Sequence, residues 1–454
     1  MTHVFHPDIL REYDIRGTVG QTLSADDAWA LGRSFATIVR RGGGGRVAVG
    51  CDGRLSSPML EAALVRGLAQ GGVDVVRIGL GPSPMLYYAE AVLGVEAGIQ
   101  VTGSHNPRDD NGFKMVLGHR SFWGADIVVL ADLAARGDWS EGQGSVAEVA
   151  ILDDYVARLM AGYAGGAYRI GWDCGSGAAG PAVERLVRLL PGEHHLLFTE
   201  PDGRFPHHHP DPTEEANLAD LRRLVADQRL DFGLAFDGDG DRIGAIDGQG
   251  RVIHGDEILQ LLAEPLLREL PGATIIADVK ASQSLFDRVR DLGGTPLMAR
   301  TGHSAIKAEM LRTGAPLAGE MSGHIFFAQD YYGFDDALYA AVRLIRAIHL
   351  SGHSLTELRD TMPARVATPD LRIPVAEDRK HAVVAEVAAR LATAGAVMDE
   401  TDGVRVREAD GWWLLRVSNT QAAVTARAEA ADAAGLDRLL AIVDAHLAAS
   451  GVTR

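Results

Sequence analysis

The sequence predicts an α/β protein with crossover connections, followed by a separate α+β domain. Three observations carry this: short Val- and Ile-rich runs recur, segments with helical spacing lie between them, and the pattern changes after about residue 364. The runs are RVAVGCD (46–52), VDVVRIG (73–79), AGIQVTG (97–103), YRIGWDC (168–174), DFGLAFDG (231–238) and ATIIADV (273–279). Each is apolar nearly throughout instead of alternating, as a strand covered on both faces requires. SPMLEAALVRGLAQGG (57–72), PAVERLVRLL (181–190) and EILQLLAEPLLREL (257–270) supply the intervening helices. The strand-turn-helix unit restarts near Tyr168 and again near Ala273. In the tail, residues 406–430 alternate like antiparallel strands and residues 436–449 close as an amphipathic helix. Boundaries are expected near 150, 251 and 364, giving segments 1–150, 151–251, 252–364 and 365–454.

A chain of 454 residues has room for two to four domains and a large core. Apolar residues make up 46% and charged residues 23%, which excludes disorder and coiled coil. Lysines and arginines number 44 against 61 acids, a net charge of −17. That excludes a nucleic acid or an anionic membrane held by diffuse attraction, so an anionic ligand needs a local basic pocket. No uncharged apolar run reaches membrane-spanning length, and the first 23 residues lack the apolar core of a secretion signal. Cys51 and Cys174 stand far apart without a CxxC, which suits a reducing compartment, so the cytoplasm is the expected location.

Four motifs could carry chemistry. Asp237-Gly-Asp239-Gly-Asp241-Arg242 directly follows an apolar run. Alternate carboxylates on a glycine-permitted loop can converge on one hard cation such as Mg²⁺. An EF-hand is excluded, because its sixth position would be Arg242 and its twelfth Gly248. Thr102-Gly-Ser104-His105-Asn106-Pro107 places a serine on a turn between hydrogen-bonding neighbours, where it could act as a nucleophile or phosphoryl carrier. Gly175-Ser-Gly177-Ala-Ala-Gly180, with Glu200 twenty residues on, satisfies the letter of a dinucleotide fingerprint. The same glycines equally serve a tight strand-to-helix turn. His207-His208-His209 lies in a Pro-rich extended stretch with no spacing that fixes two metal ligands, and reads as a loop. Two further loops, GEMSGH (319–324) and Arg416-Val-Ser418-Asn419-Thr420, suit sugar hydroxyls and a phosphate respectively.

With Tyr13-Asp-Ile-Arg16-Gly, Lys114, DVK (278–280) and TGHS (301–304), these segments resemble the α-D-phosphohexomutases in order and spacing from residue 13 to 420. GEMSGH and the overall length resemble the family's bacterial phosphomannomutase/phosphoglucomutase subgroup. The resemblance implies three similar α/β domains with mixed sheets and a smaller C-terminal α+β domain around a central cleft. It also assigns the Gly175 turn to the second domain, against the dinucleotide reading.

By the same resemblance, a phosphorylated Ser104 donates and regains a phosphoryl group beside Mg²⁺ held with Asp237, Asp239 and Asp241. Arg16, Lys114, Arg242 and His324 handle protons and charge, the general base being left open. Tyr13, His105, Lys280, His303, Glu320 and Ser322 meet the sugar, and Arg416, Ser418, Asn419 and Thr420 clamp the non-reacting phosphate. The implied reaction interconverts hexose 1- and 6-phosphates, of mannose and also glucose, through a hexose 1,6-bisphosphate. No nucleic acid, membrane or protein partner is implied; the chain is expected to be a monomer, with a dimer as the alternative. A phosphatase or kinase using the same serine, and a non-catalytic sugar-phosphate binder, are the competing expectations. Departures from the family are Gln421-Ala-Ala after the clamp and Arg108-Asp109-Asp110 in the serine loop.

Overall fold

The computed structural model describes residues 2–418 and 421–454. All six apolar runs form strands, and the chain builds four sheets in succession. In the first, Asp74–Leu80, Arg46–Cys51 and Ala97–Val101 are parallel, with Val146–Glu148 added at one edge. Asp110–Leu117 and Ile15–Thr18 then run antiparallel on the other side. In the second, Tyr168–Asp173 lies between Gly192–Leu197 and Phe232–Phe236, all parallel, before Ile243–Asp247 turns back. In the third, Thr274–Asp278 lies between Thr295–Ala299 and Leu317–Gly319, and Ile325–Phe327 turns back. The fold class read from the sequence is therefore the one found.

This repetition positions the site. In each α/β domain the last parallel strand hands over to an antiparallel neighbour through one loop, closed by the pairs Val101↔Phe113, Phe236↔Ile243 and Gly319↔Ile325. Those three loops carry Ser104, the Asp237–Asp241 triplet, and Glu320 with Ser322. The C-terminal sheet is antiparallel as expected, and its hairpin between Gly411–Val417 and Ala423–Ala430 carries Ser418. Four loops from four domains thus stand where strand direction reverses.

The helices follow local chemistry. Ala25–Arg41 begins with a capping box in which Ser24 and Asp27 satisfy each other's backbone N–H groups. PAVERLVRLL is helical only over Gly180–Leu186, after which the chain descends into the edge strand Gly192–Leu197. One apolar core runs continuously from Ala48 and Tyr87 through Trp172 and Phe236 to Phe327 and Tyr339, so the first three domains share an interior. The C-terminal domain has its own core around Trp413 and Leu415 and meets the third through Val279, Trp412 and Leu414. Among the described residues, no helix is long and apolar enough to cross a membrane.

Candidate active site

Ser104 is buried and sits at φ +49°, the left-handed region that a residue with a Cβ rarely adopts. Its Oγ donates to Asp237 Oδ2 at 2.8 Å and lies 3.2 Å from His105 Nδ1. Asp237 turns its other oxygen to the backbone N–H groups of Asp241 and Arg242, at 3.1 and 3.2 Å. Gly238 permits the close approach: a Cβ there would stand 2.3 Å from the carbonyl oxygen of Ser104. The serine and carboxylate loops are therefore packed backbone to backbone across the first domain boundary.

Lys114 comes up from the strand after the serine loop and donates to Asp239 Oδ2 at 2.7 Å and to Asp241 Oδ2. Burial pushes its ammonium down, but Asp239 and Asp241 outweigh that and hold it well above the ordinary lysine range. One lysine in contact leaves a three-carboxylate loop short of positive charge. Among the described residues, Asp239 Oδ1 and Asp241 Oδ1 are buried without a hydrogen-bond partner, and the three carboxylates each offer an oxygen within 4.8 Å of the others. Orphaned carboxylate oxygens at that spacing fit a hard divalent cation of the Mg²⁺ class.

The second and third domains are stitched at the same point. Ile243 N donates to Gly323 O at 3.0 Å, and Arg242 and His324 form an isolated antiparallel bridge. Arg242 Nε also donates to His324 Nε2 at 3.0 Å. A guanidinium has only N–H to offer, so Nε2 accepts and the neutral ring carries its proton on Nδ1. That nitrogen faces Asp335 Oδ2 at 2.9 Å and Asp241 Oδ1 at 3.6 Å. His303 stacks on His324 with ring centroids 5.6 Å apart. Burial, with Lys307 adding to it, pushes His303 well below the ordinary histidine range. His105 is pushed down likewise, by burial first and then by Arg242, Arg16 and Lys114. Neutral imidazoles thus line a site crowded with cations.

Around this centre the remaining expected residues fall into two groups. Arg16 donates to Asn106 Oδ1 at 2.6 Å, to Gly103 O at 3.4 Å and to Asp14, and so lies on the serine loop. Tyr13 OH donates to Thr301 O at 2.8 Å, beside Gly302, whose N–H donates to Glu320 Oε1 at 2.6 Å. Ser322 is half-buried on the same loop as Glu320. Lys280 pairs with Asp370 at 3.0 Å, and Arg416 Nε donates to Asp402 Oδ2 at 2.9 Å. Asp402 also accepts from Thr301 N at 3.2 Å, tying the C-terminal domain to the third. Ser418 Oγ accepts from Gln421 N at 3.2 Å. Asn419 and Thr420 lie outside the described residues.

The motifs set aside from the sequence have structural work. A Cβ on Gly177 would stand 2.8 Å from Gly238 O, and one on Gly180 1.8 Å from Thr199 O, so this fingerprint is a packing turn against the carboxylate loop. His207 stacks on Phe198 at 3.8 Å, and His208 Nε2 lies 3.0 Å from Asp173 Oδ2, so these two histidines brace a strap. Sequence reasoning missed Asp52, Arg54, Asp335 and Asp402. Asp52 had a signal, since it ends an apolar strand before a glycine as Asp237 does; the others are ordinary polar residues until the fold collects them.

A serine and a three-carboxylate loop, each set where strand direction reverses in successive α/β domains, define a four-domain phosphoryl-transfer architecture. Models of the phosphoglucomutase/phosphomannomutase alpha/beta/alpha domains I, II and III match residues 7–122, 153–250 and 254–366. The model of that family's C-terminal domain matches residues 371–446. The chain belongs to the phosphoglucomutase/phosphomannomutase family. It is 42% identical over 435 residues to a phosphomannomutase/phosphoglucomutase of Pseudomonas putida, covering 95% of this chain and 94% of that one. To a phosphoglucomutase of Neisseria gonorrhoeae it is 40% identical, covering 95% of each. The crystal structure of a phosphoglucomutase/phosphomannomutase family protein from Burkholderia thailandensis superposes with a TM-score of 0.93 at 41% identity, covering 99% of this chain and 98% of that one.

Proposed function

We propose that the protein interconverts hexose 1-phosphates and hexose 6-phosphates, of mannose and of glucose, through a phosphorylated Ser104. The observation that carries this is Ser104 itself: a buried serine held in a strained turn, its hydroxyl 2.8 Å from Asp237 of the carboxylate loop. Phosphoryl transfer depends on positioning and charge compensation far more than on covalent help from the protein, and this arrangement supplies both. In the forward direction the sugar's 6-hydroxyl oxygen attacks phosphorus on Ser104, the bond from phosphorus to Oγ breaks, and the hydroxyl proton passes to a basic group of the site. The 1,6-bisphosphate then turns over. Ser104 Oγ attacks the phosphorus on the oxygen of carbon 1, the bond from that oxygen to phosphorus breaks, and the departing oxygen takes the proton held by the basic group; the serine regains the phosphoryl group and the 6-phosphate is released.

Asp237, Asp239 and Asp241, with Ser104, would hold Mg²⁺, which when bound withdraws charge from the transferring phosphoryl. Lys114 and Arg242 add fixed positive charge on either side, and Arg16 holds the serine loop through Asn106. Tyr13, His303, Glu320 and Ser322 meet the sugar from one wall. Lys280, which the resemblance set beside the sugar, pairs with Asp370, whose carboxylate also feels the charge of Arg416; it is grouped here with Arg416, Ser418, Asn419 and Thr420 on the non-reacting phosphate. Among the described residues, Lys280 and Arg416 each pair with one carboxylate, a contact that a phosphate dianion can replace. Because the two ends of the bisphosphate are chemically alike, one clamp and one phosphoserine serve both orientations.

The test is conversion of mannose 1-phosphate and glucose 1-phosphate to their 6-phosphates, with Mg²⁺ and a trace of glucose 1,6-bisphosphate, by the wild type and Ser104→Ala. Both sugars should turn over, and kcat should fall by about 10³-fold or more in the variant, as removal of a nucleophile requires. Undiminished turnover by Ser104→Ala, or none by the wild type, would overturn the proposal.

A further inference from the structure

The serine loop poses a question of support: what keeps a non-glycine residue at φ +49° when an extended turn would relax it? The answer lies beneath the loop. Arg54 is 1% exposed, and its guanidinium donates to four backbone carbonyls of the loop. Nη2 reaches Ser104 O and Asn106 O, both at 2.7 Å, and Nη1 reaches Pro107 O at 2.6 Å and Asp110 O at 2.8 Å. Asp52 anchors it from below. Its Oδ1 accepts from Arg54 N at 3.0 Å and from Ser57 Oγ, and its Oδ2 from Thr102 Oγ1 at 2.8 Å and Gly103 N at 3.1 Å. Thr102 Oγ1 in turn accepts from Ser104 N at 2.8 Å. Both backbone polar groups of Ser104 therefore trace to Asp52 and Arg54. Gly103 leaves the room: a Cβ there would stand 2.5 Å from Arg54 Cζ. The second domain closes the arrangement with Phe205, whose ring centroid lies 5.2 Å from Cζ.

We propose that Arg54, seated on Asp52 and capped by Phe205, is a positioning residue for phosphoryl transfer, holding the serine loop in the turn that aims Ser104 Oγ at Asp237. The inference rests on Ser104 being the phosphoryl carrier. A planar fork of fixed donors is what four convergent carbonyls demand, and a lysine's flexible point charge cannot reproduce it. The guanidinium also sets a permanent positive charge under the loop that would bear the phosphoserine.

The experiment measures phosphorylation of Ser104 by glucose 1,6-bisphosphate in a single turnover, read by intact-protein mass, with steady-state kcat and KM and a melting curve. In Arg54→Lys the phosphorylation rate and kcat should fall together by about 50-fold with KM within threefold, since misplacement of about an ångström costs that order. Asp52→Asn should fall by about 10-fold. A purely structural role would lower the melting temperature and the fraction of molecules that phosphorylate, while those that do would react at the wild-type rate; that result overturns the inference. If Arg54→Lys does not fold, Asp52→Asn and Phe205→Leu carry the same measurement, and wild-type rates in both overturn it. A wild type that takes no phosphoryl group on Ser104 overturns the carrier reading beneath it. Phosphorylated wild type alongside equally fast variants overturns the positioning role alone.

Discussion

Around Ser104, side chains are held largely by backbone. Asp237 is fixed by two N–H groups and Arg54 by four carbonyls, and the loops are closed by glycines that no larger residue could replace. Arg416 and Lys280, by contrast, are each held by one carboxylate among the described residues, Asp402 and Asp370, on another loop. The first region can hold its geometry through a full catalytic cycle. In the proposed reaction the second would exchange partners as a phosphate arrives or leaves. A reaction in which an intermediate must turn over inside the site asks for both: rigidity where bonds change, replaceable contacts where the ligand is merely gripped.

Three substitutions would sharpen or break that contrast. The largest effect is expected from Asp239→Asn, which leaves buried Lys114 short of a partner in the rigid half. Losing one carboxylate of the proposed cation site, and with it a contact that fixes Lys114, should lower kcat by about 10³-fold, and a Mg²⁺ titration of activity should shift to higher concentration. Next, Arg416→Lys in the exchangeable half loses the fork but keeps the charge. KM for glucose 1-phosphate should rise about 10-fold with kcat within threefold. Were Arg416→Lys to depress kcat as deeply as Asp239→Asn, the two regions would not differ as described.

The smallest effect is expected from the strap that backs the rigid half. Burial pushes His208 down, but its hydrogen bond to Asp173 and that carboxylate's charge outweigh this and raise the imidazole above its ordinary value. A histidine raised in the folded state stabilises fully below its unfolded pKa of about 6.5, and the contribution is lost as pH rises through the folded value. His208→Gln should therefore cost about 1–2 kcal/mol at pH 5.5 and much less at pH 9. Melting curves of both proteins across that range check it; a cost independent of pH would mean that packing of the strap, and not the His208–Asp173 charge pair, is what matters.

Much of this was legible in residue order. Runs such as RVAVGC and DFGLAF could be read as strands because covering a parallel sheet on both faces demands unbroken apolar residues. The carboxylate triplet was legible because like charges at a strand end have few structural excuses; the serine turn, built from ordinary turn residues, stood out only through its resemblance to a known family. The Gly175 turn and His207–His209 were harder to read, since a glycine needed for close packing and one needed for a phosphate look identical in sequence. Only the approach of Gly177 to Gly238 O separates them. Asp335 gave no signal at all: it becomes distinctive once His303, Lys307 and His324 face it from other segments.

The sequence by itself determined the class of fold, the strand-end loops and which residue types each presents, because hydrophobic period, glycine placement and charge spacing are local properties. The tertiary structure decided what those loops do to one another. It set the Asp237 carboxylate against Ser104, drew Lys114 onto Asp239 and Asp241, joined Arg242 to His324, and slid Arg54 under the serine loop. Those pairings lie 133, 125, 82 and 50 residues apart in the chain. No local preference encodes such distances; they follow from three sheets whose strands reverse direction at the same place around one shared core.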